Sequence, residues 1–144
     1  MLKSLSIIAY LGMVGGLVGL LTTKSLLSPS LLVIAPQVAA LLLIIWARIT
    51  FGRRSFHVAA NPTAGGLVTT GPYRFTRHPI YTPVCLFTVP GVIAHWTWFS
   101  ALLGAIVVAS ALIRMSFEEK LLVARYPEYA QYAATTPRMI PFLF

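Results

Sequence analysis

Between Ile80 and Ile113 the chain runs for 34 residues without a single Lys, Arg, Asp or Glu. A soluble domain needs charge on its surface and carries roughly 25% charged residues. Here 10% of the 144 residues are charged and 58% are hydrophobic, so lipid must serve as part of the solvent. One helix of that length would measure about 51 Å, well beyond a ~30 Å hydrocarbon core. The stretch therefore reads as two spans, about 80–95 and 98–113, turning near His95, Trp96 and Trp98, which suit a membrane interface.

Two further apolar runs precede it, at about 5–21 and 31–47. The first carries Gly12, Gly15, Gly16 and Gly19, small residues that let helices approach closely in lipid; the second has Pro36 near its start. The expectation is an all-α integral membrane protein: four transmembrane helices in one domain over 1–144, with a structured cytoplasmic loop and a C-terminal helical tail. The last two spans are short, which calls for little tilt or a thinned bilayer. The apolar run after Lys3 resembles a signal peptide, but no small-residue cleavage site precedes Lys24 and more spans follow, so it reads as a retained helix.

The net charge of +8 comes from eleven Lys and Arg against three acids. Arg48, Arg53, Arg54, Arg74 and Arg77 separate spans two and three, and Arg114, Lys120, Arg125 and Arg138 follow span four. By the positive-inside rule both basic regions, and with them both termini, face the cytoplasm: at the inner membrane of a bacterium or the endoplasmic reticulum of a eukaryote. Positive residues that flank apolar runs mark topology, not nucleic-acid binding. Cys85 is the lone cysteine, so neither a disulfide nor a cysteine metal cluster forms within the chain, and it reads as a packed thiol. No metal site is expected.

The acids are confined to Glu118, Glu119 and Glu128, and Asp is absent. If spans three and four form a hairpin, His78 to Tyr81 at its entry and Arg114 to Glu119 at its exit are neighbours on the cytoplasmic rim. The two polar segments concerned are 65–81 and 114–141. Asn61-Pro62, Gly65-Gly66 and Gly71-Pro72 are loop signals, and ordered loops of this length tend to be functional. Helix is expected from Ser116 to Arg125, with breaks at Pro127, Pro137 and Pro141. Plainer readings stand beside the chemical one. Arg114 and Glu118 fit a simple i,i+4 pair, Arg77 a snorkelling anchor, and His78 an interfacial residue. His57 and His95 read as structural or interfacial, and Tyr126, Tyr129 and Tyr132 as packing the tail against the interface.

The run from Leu67 through Gly71-Pro72-Tyr73-Arg74-Phe75-Thr76-Arg77-His78-Pro79-Ile80-Tyr81, followed by the glutamate pair and a tail of Thr136-Pro137-Arg138-Met139-Ile140-Pro141, resembles the isoprenylcysteine carboxyl methyltransferase family. That family groups with the membrane phospholipid methyltransferases, and the resemblance covers roughly the last 80 residues. It implies S-adenosylmethionine as cofactor, left as S-adenosylhomocysteine, and a lipophilic or lipidated acceptor that arrives through the bilayer and offers a carboxylate, thiol or amine. Leu67, Val68, Tyr73, His78, Pro79, Ile80, Tyr81 and Glu118 would line the cofactor pocket, and Arg114 would face the acceptor. Chemistry adds Arg77 for the cofactor carboxylate and Glu119 beside Glu118 for its hydroxyls or ammonium; aromatic faces suit the sulfonium. The chain departs from the pattern at Pro83, where Gly often stands, and at Gly65, where some members have His. A four-span transporter and a non-catalytic scaffold are the alternatives. Against the first, no Asp or Glu lies within any span to couple ions.

Overall fold

The computed structural model describes residues 2–52 and 66–140. Its elements are α1 (Leu2–Thr22), α2 (Leu31–Phe51), a 3-10 turn (Gly71–Arg74), α3 (Tyr81–Ala94), α4 (Trp98–Arg125) and α5 (Tyr129–Thr135). Among the described residues all regular structure is helical, as expected. Residues 53–65, with His57, Asn61-Pro62 and Gly65, lie outside the described residues, as does Pro141.

Helices α1, α2 and α4 are long and apolar enough to cross a bilayer; α3 is apolar but only 14 residues long. At 1.5 Å per residue α3 measures about 21 Å, short of the hydrocarbon thickness. The four expected spans are thus three full-length helices and one shorter one. Pro79 precedes the short helix, and at its other end His95 leaves helical geometry with φ −121° and ψ 49°. There Thr97 and Ser100 form a capping box, each side chain bonded to the other's backbone N–H at 3.0 and 2.9 Å. This satisfies the orphan donors at the start of α4, and Trp96 and Trp98 stand exposed at the bend as anticipated. Helix α4 has 28 residues, about 42 Å, and so outruns the bilayer core. The expected extension from Ser116 to Arg125 is its unbroken continuation.

Helix α4 is central. It carries α1 on one side and α3 on the other, with α2 beyond α3. Glycines set the α1–α4 approach: a Cβ on Gly12 would stand 2.9 Å from the Ser110 hydroxyl, and one on Gly16 2.6 Å from a Val107 methyl. Gly19 likewise abuts Leu103, while Gly15 points into open space, so three of the four glycines make the contact. The pairing is antiparallel and brings the start of α1 against the C-terminal half of α4. On the other flank, the buried Gln37 amide donates to the carbonyls of Leu26 at 2.8 Å and Phe87 at 3.0 Å, tying α2 to α3. An amide in lipid must find such acceptors or remain unsatisfied. Beneath the polar end of the molecule Tyr81, Ala111, Met115 and Met139 pack as one apolar cluster, with half-buried Cys85 against it.

Candidate active site

The site begins at a turn that only glycine accommodates. Gly71 has φ +58°, and a Cβ there would strike Thr50 of α2. Pro72 then starts the 3-10 turn, and the two residues deliver Tyr73 into a buried position beside the Phe51 ring. Six residues later Pro79 turns the chain into α3. Just before it, the backbone N–H groups of Arg77 and His78 donate to the carbonyls of Pro137 and Arg138 at 2.8 and 2.9 Å. The Thr82 hydroxyl adds a bond to the Met139 carbonyl at 2.9 Å. Residues 137–139 are thereby laced across the entry of α3.

The hairpin brings the two polar segments together, as the sequence anticipated. Glu118 Oε1 accepts from the Tyr81 hydroxyl at 2.5 Å and pairs with Arg114 Nη2 at 3.5 Å. Its Oε2 lies 3.8 Å from His78 Nδ1, and the side chain is 26% exposed. Glu119 is enclosed instead. Its carboxylate meets Arg77 at 3.0 Å, Arg138 at 2.8 Å and His78 Nε2 at 3.2 Å, and the Tyr129 hydroxyl reaches it at 3.5 Å. The His78 imidazole stands between the two carboxylates, 4% exposed.

Arg114 works inward. Its Nε donates to the Tyr81 hydroxyl at 3.0 Å, its Nη1 to the Ser6 carbonyl of α1 at 3.2 Å, and its guanidinium carbon lies 5.1 Å from the Tyr10 ring centroid. The side chain expected to face an acceptor is therefore turned toward Tyr81, Glu118 and α1. The i,i+4 contact with Glu118 is real but is one part of a larger set of bonds.

Tyr73 is buried, and its hydroxyl has no hydrogen-bond partner among the described residues. Desolvation, followed by the nearby Glu118 charge, pushes this phenol well above its ordinary range, so it remains a donor. A buried donor without an acceptor costs about 1–3 kcal/mol, and a bound polar group would relieve that cost. Leu67 and Val68 are half-buried ahead of the 3-10 turn, Pro79 is buried and Ile80 half-buried; the polar contacts do not involve them.

Three features escaped the sequence reading. Ser6 and Tyr10 approach the site from α1, although polar side chains four apart on an otherwise apolar helix were a usable signal. Arg138 closes on Glu119 from the tail. Tyr129 and Tyr132 pack inward and not against the interface: Tyr129 is 1% exposed beneath Glu119, and the Tyr132 hydroxyl donates to the Tyr73 carbonyl.

Over 82 residues the chain is 37% identical to the nickel-cobalt-cadmium resistance protein NccN of Alcaligenes xylosoxydans xylosoxydans. It is 38% identical over 82 residues to the cobalt-zinc-cadmium resistance protein CzcN of Cupriavidus metallidurans. Each alignment takes in 54% of this chain but only 37% and 36% of the relative, so the chain spans little more than a third of these proteins' length. No solved structure was found to match. The sequence profile of the phospholipid methyltransferases matches residues 30–129, from α2 through the end of α4. With apolar helices framing that cluster and its two segments joined at Glu118 and Glu119, the chain belongs to the phospholipid methyltransferase family.

Proposed function

We propose that this protein transfers a methyl group from S-adenosylmethionine to a lipophilic acceptor at the cytoplasmic face of a membrane. The observation that carries the reading is Glu118. Its carboxylate is held on one side by Tyr81 and Arg114, leaves 26% of the side chain open, and acts electrostatically on the unpartnered Tyr73 hydroxyl. An acceptor and a donor poised in this way fit a ligand with hydroxyl, ammonium and carboxylate groups.

Glu118 would accept from the cofactor's ribose hydroxyls or ammonium, and Tyr73 would donate to a cofactor oxygen or nitrogen. Arg77, whose Nε is buried without a partner among the described residues, has a donor left for the carboxylate. His78 orients between the two glutamates. Leu67, Val68, Pro79, Ile80 and the Tyr81 ring would form apolar walls that exclude water. Glu119 serves the same site at one remove, by holding Arg77 and His78 in place. When bound, S-adenosylmethionine supplies an activated methyl group on a positively charged sulfur. The chain's own contribution is alignment and desolvation, because the charge carried by sulfur is neutralised as the methyl leaves.

The acceptor would be a carboxylate, thiol or amine on a lipid-like molecule. The relatives' names concern metal resistance, but among the described residues no group of three His, Cys, Asp or Glu is set to hold an ion, and the reading built on Glu118 takes an organic acceptor. In this proposal α3 also crosses the membrane, through a locally thinned bilayer, and the basic residues flanking α2 and α4 place both termini in the cytoplasm.

Calorimetric titration of S-adenosylhomocysteine into the purified protein tests the reading. Wild type is expected to bind at micromolar concentration. Glu118→Ala should bind about 10- to 100-fold more weakly, as for loss of a hydrogen bond to a charged group. Absence of binding by the wild type in every lipid mimetic would refute it.

A further inference from the structure

Helix α1 lies outside the matched family region, which begins at residue 30, yet it supplies the surface on which Arg114 rests. Arg114 is 4% exposed and extends its nitrogens toward three elements: Nε to the Tyr81 hydroxyl of α3, Nη2 to Glu118 of its own helix, and Nη1 to the Ser6 carbonyl of α1. The Tyr10 ring covers the guanidinium at 5.1 Å, within the range of a cation–π contact.

We propose that Tyr10, with the Ser6 carbonyl, is a positioning residue of the site, acting through Arg114 to set the orientation of Tyr81 and Glu118. This rests on the reading of Glu118 as a cofactor ligand. A guanidinium is planar, so the direction of Nη1 and the tilt of the ring face together fix where Nε and Nη2 point. Without the ring and the carbonyl, a buried cation at the edge of the apolar region would swing toward water, because isolated charge is costly there. The Tyr81 hydroxyl, which accepts from Nε while donating to Glu118, would lose its anchor.

The register that makes this possible comes from the glycine face. With Gly16 against Val107 and Gly12 against Ser110, the antiparallel register carries on to Arg114, which meets Tyr10 and Ser6. Ser6 is fully buried, and Met13, one turn from Tyr10, packs on the apolar cluster that holds Tyr81 and Met115. Helix α1 is therefore part of the catalytic framework as well as a membrane anchor.

The test is calorimetric titration of S-adenosylhomocysteine into the full chain in detergent, for wild type, Tyr10→Phe, Tyr10→Leu, Arg114→Met and the double variant. Tyr10→Phe keeps the ring face and should bind within about twofold of wild type, while Tyr10→Leu should bind about tenfold more weakly. The double variant should bind no more weakly than Arg114→Met alone, since the ring acts through the guanidinium. Wild-type affinity in Tyr10→Leu, or losses that multiply in the double variant, overturn the inference while leaving the cofactor reading intact. A wild type that binds nothing removes the cofactor reading and this inference with it. Should Tyr10→Leu not fold, successively fluorinated phenylalanines at position 10 weaken the ring face at nearly constant size. Affinity that falls along that series supports the inference, and a flat series overturns it.

Discussion

Glu118 and Glu119 are adjacent in sequence and sit in opposite kinds of surroundings. Successive residues on a helix point about 100° apart, so one carboxylate turns toward Tyr81 of α3 and the other toward Arg138 and Tyr129 of the tail. Glu119 is 8% exposed and is gripped by Arg77, Arg138, His78 and Tyr129. Glu118 is fastened through Oε1 by Tyr81 and Arg114, has His78 3.8 Å from Oε2, and keeps an open edge. A carboxylate whose lone pairs are filled from within the protein is a strut, whereas one held rigidly but left partly open is a ligand in waiting. The pair teaches that two like residues in one motif need not share one role.

The largest expected effect breaks the strut. Glu119→Ala leaves Arg77 and Arg138 facing each other with no anion between them, and should destabilise the protein by about 3 kcal/mol, as for one partner removed from a buried ion pair. Thermal unfolding in detergent would show this as a clear drop in Tm, while Glu118→Ala, which removes one carboxylate from Arg114 but leaves that guanidinium bonded to Tyr81 and Ser6, should lower Tm by less. Equal losses of Tm in the two variants would erase the distinction drawn between them.

A medium effect targets the Glu118 side from a distance. Gly16→Leu forces a side chain into Val107 and the Leu103 backbone, overpacking that should cost about 1–3 kcal/mol and shift α1 away from Arg114. Affinity for S-adenosylhomocysteine should fall, while the Glu119 cage, built from Arg77, His78, Tyr129 and Arg138, should be unaffected. Protection of the Arg77 and His78 amides from hydrogen exchange, conferred by the Pro137 and Arg138 carbonyls, reads that second half.

The smallest effect is the share of a pH dependence that comes from the Glu119 side. Burial, followed by the Glu119 charge, pushes the Tyr129 phenol up to about 12 from an ordinary 10.0. The folded state therefore holds this proton more tightly than the unfolded state does. The stability it contributes is present below pH 10 and fades as the pH rises through about 12. Tyr129→Phe should remove the corresponding phenolate absorbance step and make the decline in stability between those limits shallower, leaving ligand binding near pH 7 unchanged. A tyrosinate step near pH 10 assigned to Tyr129 would contradict its burial beneath Glu119.

Much of this was readable before any coordinates. The charge-free stretch from Ile80 to Ile113 had to fold back on itself because a single helix would overrun the membrane, and that hairpin alone made neighbours of His78 and Glu118. Gly71-Pro72 announced the turn that seats Tyr73. The α3 boundaries were less legible, since an apolar run does not declare how much of it is helix, and three residues at the bend went to capping. The division of labour between the two glutamates was not legible at all. It depends on which way each side chain points once α3 and the tail have docked, and neither Tyr81 nor Arg138 lies near the pair in sequence.

Composition and periodicity by themselves determined that the chain is helical, that lipid surrounds it and that its polar ends converge, because transfer of apolar residues into lipid and the length of a helix are properties of local sequence. Only the tertiary structure decided that Arg114 turns inward to Ser6 and Tyr10, that Arg138 returns to Glu119, and that the Tyr73 hydroxyl has no partner among the described residues. Those outcomes rest on bonds between segments as far apart as α1 and the end of α4, and their energies depend on angle, burial and partner, which no stretch of sequence carries alone.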